Sequence, residues 1–266
     1  MARKQREHMT QDAKRLTQQQ FGMHAQSYVH SPTHAAGATL DRLIHAIAPQ
    51  EGMRALDVAT GGGHTARRLN QAGAWTVAGD LTLPMLQAAR AALCAQGCDS
   101  ATFVQLDAED LPFGAGTFDA VTCRVAPHHF PDVARFVREM ARVTRPGGAV
   151  GVVDQLTPGD PQAARYINAF ERLRDPSHLW SYNRAEWEGF FTGAGLAIET
   201  VETFAVDHTL GEWSERMGCD AATTLRLRAM MVQAPPPVAD WMQPHVPPVG
   251  DPTFVIRQIL IVGRKR

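Results

Sequence analysis

Nowhere do the 266 residues of this chain hold the roughly 18 to 20 uninterrupted apolar side chains that a membrane-spanning helix needs. A dominant charge is missing too. Against 26 Lys and Arg stand 27 Asp and Glu, a net charge of −1, so no global field draws the protein to nucleic acid or to an anionic membrane. Cysteine is scarce: Cys94, Cys98, Cys123 and Cys219 show neither a metal-ligand spacing nor the density of a disulfide scaffold. Reduced thiols in a cytoplasmic protein are expected. The N-terminal stretch is basic (Arg3, Lys4, Arg6, Lys14, Arg15), but it lacks the apolar centre of a secretory signal and carries Glu7 and Asp12. Export by a cleaved signal is not expected. The pairs Cys94/Cys98 and His24/His30 come without further ligands at a recognised spacing, so no metal is expected.

What is present is a globular composition, 44% hydrophobic and 20% charged, patterned from about residue 53 as short apolar runs alternating with longer amphipathic ones. That alternation predicts βα units around a parallel sheet. Strands are expected over Met53 to Ala59, Trp75 to Gly79, Ala101 to Leu106, Phe118 to Arg124 and Ala149 to Val153, the last entered through a turn at Arg145-Pro146-Gly147-Gly148. Val133, Phe136, Val137, Met140 and Val143 fall three or four apart, which predicts one buried helical face capped by Asp132. Two segments break the repeat. Residues 158 to 185 read as an insertion with a helix over Gln162 to Leu173 and a polar, aromatic stretch. Strands at Leu196 to Val206 and Phe254 to Val262 are joined by Asp207 to Pro252, which holds seven of the 17 prolines. A connection that long is expected to wall or cover a site, with helix around Asp220 to Val232.

The glycine loop Thr60-Gly61-Gly62-Gly63 after the first strand is a cofactor cradle, because small residues let a ligand approach the backbone and the following helix turns free N–H groups towards it. Gly61, Gly63 and Ala66 satisfy the dinucleotide pattern G-x-G-x-x-A, with Asp80 near the spacing of a ribose-binding acid. A nicotinamide-dependent oxidoreductase is therefore one reading. Asp57 argues against it, since a carboxylate at the first strand's tip would face a pyrophosphate across a low-dielectric cleft. S-adenosylmethionine carries an ammonium, a sulfonium and no phosphate. Asp57 suits its methionyl end, Asp80 its ribose hydroxyls, and Asp107, at the end of the third strand, the exocyclic amine of its adenine.

With these residues on the page, the chain resembles the class I S-adenosylmethionine-dependent methyltransferases, and within them the type 11 branch that includes the ubiquinone- and menaquinone-pathway C-methyltransferases. The resemblance spans about residues 20 to 206. Its carriers are Leu56 to Gly63, Gly79-Asp80-Leu81-Thr82-Leu83-Pro84-Met85-Leu86, Asp107-Ala108-Glu109-Asp110-Leu111-Pro112-Phe113, Phe118 to Arg124 and Arg145-Pro146-Gly147-Gly148. It implies a Rossmann-like α/β fold: a seven-stranded, mostly parallel sheet with an antiparallel last strand, helices on both faces and lid insertions. Carried over residue by residue, Asp57 and the amides of Ala59, Thr60, Gly61, Gly62 and Gly63 hold the methionyl part and Asp80 the ribose. Leu81 and Met85 flank the adenine, Asp107 and Ala108 meet its edge with Glu109 beside them, and Arg124 ends the strand next to the reacting centre. Phe21-Gly22-x-x-Ala25-x-x-Tyr28 resembles the family's N-terminal helix, with Tyr28 on the cofactor carboxylate. Ala59 departs from the pattern, standing where many members have glycine.

The expected organisation is a helical cap at residues 1–45, a cofactor-binding core at 46–157, an insertion lining the acceptor pocket at 158–185, and completion of the core at 186–266 with a lid at 207–252. His128, His129 and Asp154 are the candidate bases, since imidazole titrates near neutrality and these residues follow the fourth and fifth strands. Arg165, Arg172 and Arg174 with His178, Trp180 and Tyr182 either line an acceptor pocket or form a solvated face. The expected function is methyl transfer by in-line displacement to a small-molecule carbon or oxygen nucleophile, quinol- or phenol-like or another biosynthetic intermediate. The protein is expected to be a monomer or homodimer, without nucleic acid as a partner. The alternatives are the oxidoreductase and a non-catalytic cofactor-binding module.

Overall fold

The computed structural model describes the backbone over residues 2–29, 37–98 and 100–266, and side chains over 8–25, 37–98 and 100–266. Seven strands form one sheet: β1 Arg54–Val58, β2 Trp75–Asp80, β3 Thr102–Gln105, β4 Phe118–Arg124, β5 Thr144–Gln155, β6 Leu196–Thr209 and β7 Thr253–Lys265. Their spatial order is β3-β2-β1-β4-β5-β7-β6. The pairings β2–β3, β1–β2, β1–β4 and β4–β5 are parallel, whereas β7 runs antiparallel to both β5 and β6. The helices are α1 Ala2–Val29, α2 Ala38–Ile47, α3 His64–Gln71, α4 Leu83–Cys94, α5 Val133–Val143, α6 Pro161–Arg174, α7 Arg184–Gly193, α8 Leu210–Glu215, α9 Ala221–Val232 and α10 Pro236–Met242. Among the described residues no helix is long and apolar enough to cross a membrane.

The sheet is apolar on both faces, as a parallel sheet covered by helices must be. Because side chains alternate along a strand, Leu56, Val58, Val121, Cys123, Val150, Val152, Ile259 and Ile261 join one core with Phe136, Met140 and Trp187 from α5 and α7. Their neighbours Ala55, Ala120, Ala149, Val153, Leu260 and Val262 join the opposite core with Leu43 and Ile47 of α2 and Leu69 of α3. Each fully buried Val, Leu or Phe in these layers contributes roughly 1.5–3 kcal/mol. Gly151 sets the approach of α2: a Cβ there would meet Leu43 at 2.7 Å and Ile47 at 2.9 Å.

Two expectations change. Arg145 to Gly148 is not a turn ahead of β5 but an irregularity within it, since Phe118 pairs with Thr144 and Ala120 next pairs with Ala149. The paired strand resumes because Gly147 takes φ 74°, which costs glycine little. The second concerns the connection from β6 to β7. It carries α8 and α10 as well as the expected α9. β6 and β7 stay paired out to Thr209 and Thr253, while β5 stops opposite Gln258. On this projecting ribbon Phe254 and Ile256 pack with Ile167 and Phe170 of α6 and with Trp213, Leu227, Met231 and Val238 of the connection. The two segments that broke the βα repeat thus share a core of their own.

Candidate functional site

Parallel strands leave a crevice at their carboxyl ends where the strand order reverses, and here the reversal lies between β1 and β4. A cleft of about 990 Å³ opens there, walled by the tips of β1 to β4, the start of α3, and Lys14, Thr17 and Phe21 of α1. Asp57 on its floor is 1% exposed. Its two oxygens accept from Thr60 Oγ1 at 2.7 Å and Thr122 Oγ1 at 2.8 Å. Burial pushes its carboxyl up to about 6, against the pull of those hydroxyls and the Arg124 charge. Such a group is costly to ionise until a cation arrives beside it.

Asp80 ends β2. Its Oδ2 accepts from the Gly61 amide at 3.0 Å and its Oδ1 from the Thr82 amide at 2.9 Å. Burial raises its pKa, and these amides oppose the rise. The bonds fix the carboxylate against the glycine loop while each oxygen keeps a lone pair for a ligand. Asp107 is held differently. Lys14 of α1 donates to its Oδ2 at 2.6 Å and pairs with Glu109 at 2.5 Å, closing the cleft's outer end. Burial lowers the Lys14 pKa, but its bonds to the two carboxylates outweigh that and raise it.

Leu81, Met85, Leu106, Ala108 and Phe130 line the same cleft. They form the apolar slot a purine would need between the acids. Above Gly61 the space is open, since a Cβ there would meet only the Met85 methyl at 3.7 Å. Gly63 does not line the cleft; a Cβ on it would strike Leu93 at 2.5 Å, so its task is the close packing of α3 on α4. Gly62 lines the wall in its place. Two non-glycine residues take left-handed backbone beside the cleft, Ala59 at φ 52° and Val125 at φ 55°. For β-branched Val125 this is a genuine strain, of the kind that collects at functional sites. The Tyr28 side chain lies outside the described residues.

A second cavity of about 1260 Å³ adjoins the first, and Phe21, Arg124, Val125 and His129 line both. His128 and His129 sit on a 3₁₀ turn, Pro127–His129, just after β4. His128 Nδ1 lies 2.6 Å from Asp154 Oδ1, and both residues are buried. Burial lowers the His128 pKa, but the Asp154 charge and hydrogen bond overcome it and the net shift is upward. His128 faces the second cavity; Asp154, fully buried, reaches it only through the imidazole. His129 is the reverse case. Burial and the neighbouring His128 charge push it down to about 4, and its Nδ1 contacts the Ser177 carbonyl at 3.0 Å.

The 158–185 segment builds the back of this dyad: the Leu179 and Trp180 amides both donate to the His128 carbonyl. His178 is buried against the two histidines, with Nε2 2.8 Å from Asn168 Oδ1. Of the arginines of that segment, Arg174 lines the second cavity. Arg172 instead ties α6 to the loop through the His178 carbonyl at 3.2 Å, and Arg165 is exposed.

Comparison with known proteins follows the same lines. Residues 56–152 match the family model described as a methyltransferase domain. The chain is 32% identical over 247 residues to the uncharacterized methyltransferase YcgJ of Bacillus subtilis, covering 92% of this chain and 98% of that protein. The crystal structure of YcgJ superposes with a TM-score of 0.82 over 86% of this chain and 98% of that one. The chain belongs to the methyltransferase family. A demethylmenaquinone methyltransferase of Clavibacter sepedonicus is 31% identical over 189 residues, 70% of this chain and 74% of its own. A geranyl diphosphate methyltransferase solved in complex with SAM shares the fold at 17% identity, TM-score 0.59, over 85% of this chain and 84% of that one.

In this methyltransferase the cleft gathers Asp57, Ala59, Thr60, Gly61, Asp80, Leu81, Met85, Asp107, Ala108, Glu109 and Arg124, all singled out from sequence. Gly62, part of the expected loop, lines the cleft as well, whereas sequence reasoning missed Lys14, Thr17, Thr65, Thr82 and Val125. Lys14 carried no local signal, because its partners lie 93 and 95 residues away. Val125 was readable only as an apolar residue after a strand; its left-handed backbone and its place between the cavities are tertiary facts.

Proposed function

We propose that the enzyme binds S-adenosylmethionine in the first cleft and methylates a small molecule held in the second cavity. The observation that carries this is the line of carboxylates at the tips of β1, β2 and β3 within one cleft, opening at Val125 onto a cavity that holds a buried His–Asp dyad. The residues fit the donor: Asp57 for the ammonium, Asp80 for the ribose diol, Asp107 for the adenine amine, and an apolar slot between Leu81 and Met85. When bound, the donor supplies an electrophilic methyl group. The SAM complex of the geranyl diphosphate enzyme supports that choice at the level of fold.

The chain's own residues align, exclude and deprotonate. The shared wall of Phe21, Arg124, Val125 and His129 sets where an acceptor atom meets the donor, and alignment supplies much of the rate in such displacements. α1 closes the cleft against water through Lys14 and through Gln18, whose Nε2 donates to the Leu81 carbonyl at 3.0 Å. His128, oriented by Asp154, accepts the proton of an acceptor hydroxyl or enolisable carbon. His129, held neutral by burial, shapes the junction. The Clavibacter relative's name specifies a quinone-pathway acceptor, which is a nucleophile of this proton-bearing type. α1 acts as the cap, and 158–185 with 207–252 as the acceptor wall.

Titration calorimetry with S-adenosylmethionine tests the donor assignment. One saturable site per chain, weakened in Asp57→Asn, is expected; no heat and no thermal stabilisation by the donor would remove it. Release of S-adenosylhomocysteine on addition of a small-molecule extract then separates an enzyme from a binding module.

A further inference from the structure

Arg174, the last residue of α6, is 9% exposed, yet among the described residues no carboxylate comes within ion-pair distance of its guanidinium. Buried arginines are ordinarily paired, because desolvating the charge without a counter-ion costs several kcal/mol. The buried carboxylates of Glu171 and Asp175 feel the Arg174 charge from beyond that distance, and Asp175 is engaged elsewhere, accepting from the Ser177 amide at 2.9 Å and the Ser177 hydroxyl at 2.6 Å. Arg174 Nε donates to the Trp213 carbonyl at 2.9 Å, and Cζ sits 4.6 Å from the Trp213 ring centroid. The Trp213 ring stacks in turn on Phe170, centroids 5.1 Å apart at 10°. These contacts lock the guanidinium plane, and among the described residues neither Nη group has a hydrogen-bond partner, at a residue that lines the second cavity. In the same cavity the Gln258 Oε1, also buried, has no hydrogen-bond partner among the described residues.

We infer that the second cavity is built for a small carboxylic acid, its carboxylate forked on Arg174 and a hydroxyl or amine of its body bonded to Gln258. Granted that this cavity receives the methyl acceptor, the acceptor is an anion. A planar guanidinium with two parallel N–H groups matches a carboxylate in bidentate fashion, and the ligand supplies the direct ion-pair contact that Glu171 and Asp175, which act on Arg174 only at longer range, do not make. The apolar surface of Phe204, Trp213 and Ile256 receives the ligand's body. The carboxylate end at Arg174 and the junction at Val125 fix the two ends of the molecule. A neutral quinol lacks the group that Arg174 requires.

The test uses the full chain saturated with S-adenosylhomocysteine, whose own binding is measured first by calorimetry. 4-Hydroxybenzoate, 4-hydroxybenzamide and phenyl phosphate are then titrated, followed by ligand NMR. The carboxylate is expected to bind at least about tenfold tighter than the isosteric amide and tighter than the phosphate ester. Arg174→Gln is expected to erase the acid-over-amide preference while leaving S-adenosylhomocysteine affinity unchanged. Equal affinity of acid and amide in the unsubstituted protein overturns the inference whether or not the variant folds, as does absence of binding by all three probes at about 10 mM. Tighter binding of the phosphate ester overturns the choice of carboxylate. Loss of S-adenosylhomocysteine binding alone, with acid still preferred over amide, refutes the donor assignment and spares the anion site.

Discussion

The two cavities that meet at Val125 are built in opposite ways. The first cleft is held by contacts at the strand tips: Asp80 is fixed by the amides of Gly61 and Thr82, Asp107 by the amide of Glu109 and by Lys14, and Asp57 by the Thr60 and Thr122 hydroxyls. The second cavity is a side-chain construction. Its walls come from α1, the start of α2, α6, the turn after β4, the ends of β5, β6 and β7, and α8 with the residue following it, and the outer part of the wall is held by the separate core around Phe170 and Trp213. A cleft held by contacts at the strand tips keeps its shape when the peripheral core changes. A cavity defined by side chains on a peripheral core changes its ligand with a few substitutions.

The largest expected effect lies at the junction. His128→Gln and Asp154→Asn should each lower turnover by about 10²–10⁴ with donor affinity unchanged, read as single-turnover rate against calorimetric Kd. An equal loss of donor binding would merge the two halves. Turnover should also rise with pH through a midpoint above the ordinary 6.5 of histidine, because a raised pKa keeps His128 protonated below it.

Trp213→Ala should cost about 3–5 kcal/mol of stability and abolish acid binding. At a temperature where the variant is folded, the donor should still bind within about threefold; urea melts with and without S-adenosylhomocysteine check both. Next comes the pH response of the donor cleft. The folded Asp57 carboxyl titrates near 6 against 3.8 for the unfolded chain, so its ionisation costs native stability as pH rises through that window. An ammonium ligand favours the ionised form. Donor affinity should therefore fall about tenfold per pH unit below about 6, and Asp57→Asn should flatten the profile. The smallest effect is at Ala59. Relief of its left-handed backbone in Ala59→Gly should stabilise the protein by up to about 1 kcal/mol, seen as a higher Tm without a change in the donor's Kd.

The donor half was legible because its signals are local. A strand, a tip acid and a glycine loop lie within ten residues of one another, and the same unit recurs at Asp80 and Asp107. β4 was placed at its observed ends for that reason. The acceptor half was not. α8 and α10 were missed within a proline-rich connection because short helices of six and seven residues owe their stability to packing on Phe170 and Phe254 rather than to their own pattern. Gly63 was assigned to the ligand by its place in a motif, although the neighbour that forbids a side chain there is Leu93 of another helix.

By itself the sequence determined the order of strands and helices, the glycine loop and the acids that end β1, β2 and β3, since alternation, caps and turn residues act over a few positions. Only the tertiary structure decided that Lys14 closes the cleft, that Asp154 reaches the cavity through His128, and that Arg174 is buried with no direct ion pair among the described residues. Burial and pairing depend on which distant segments share a core, and no short-range pattern encodes the desolvation that makes an unpaired charge seek a ligand.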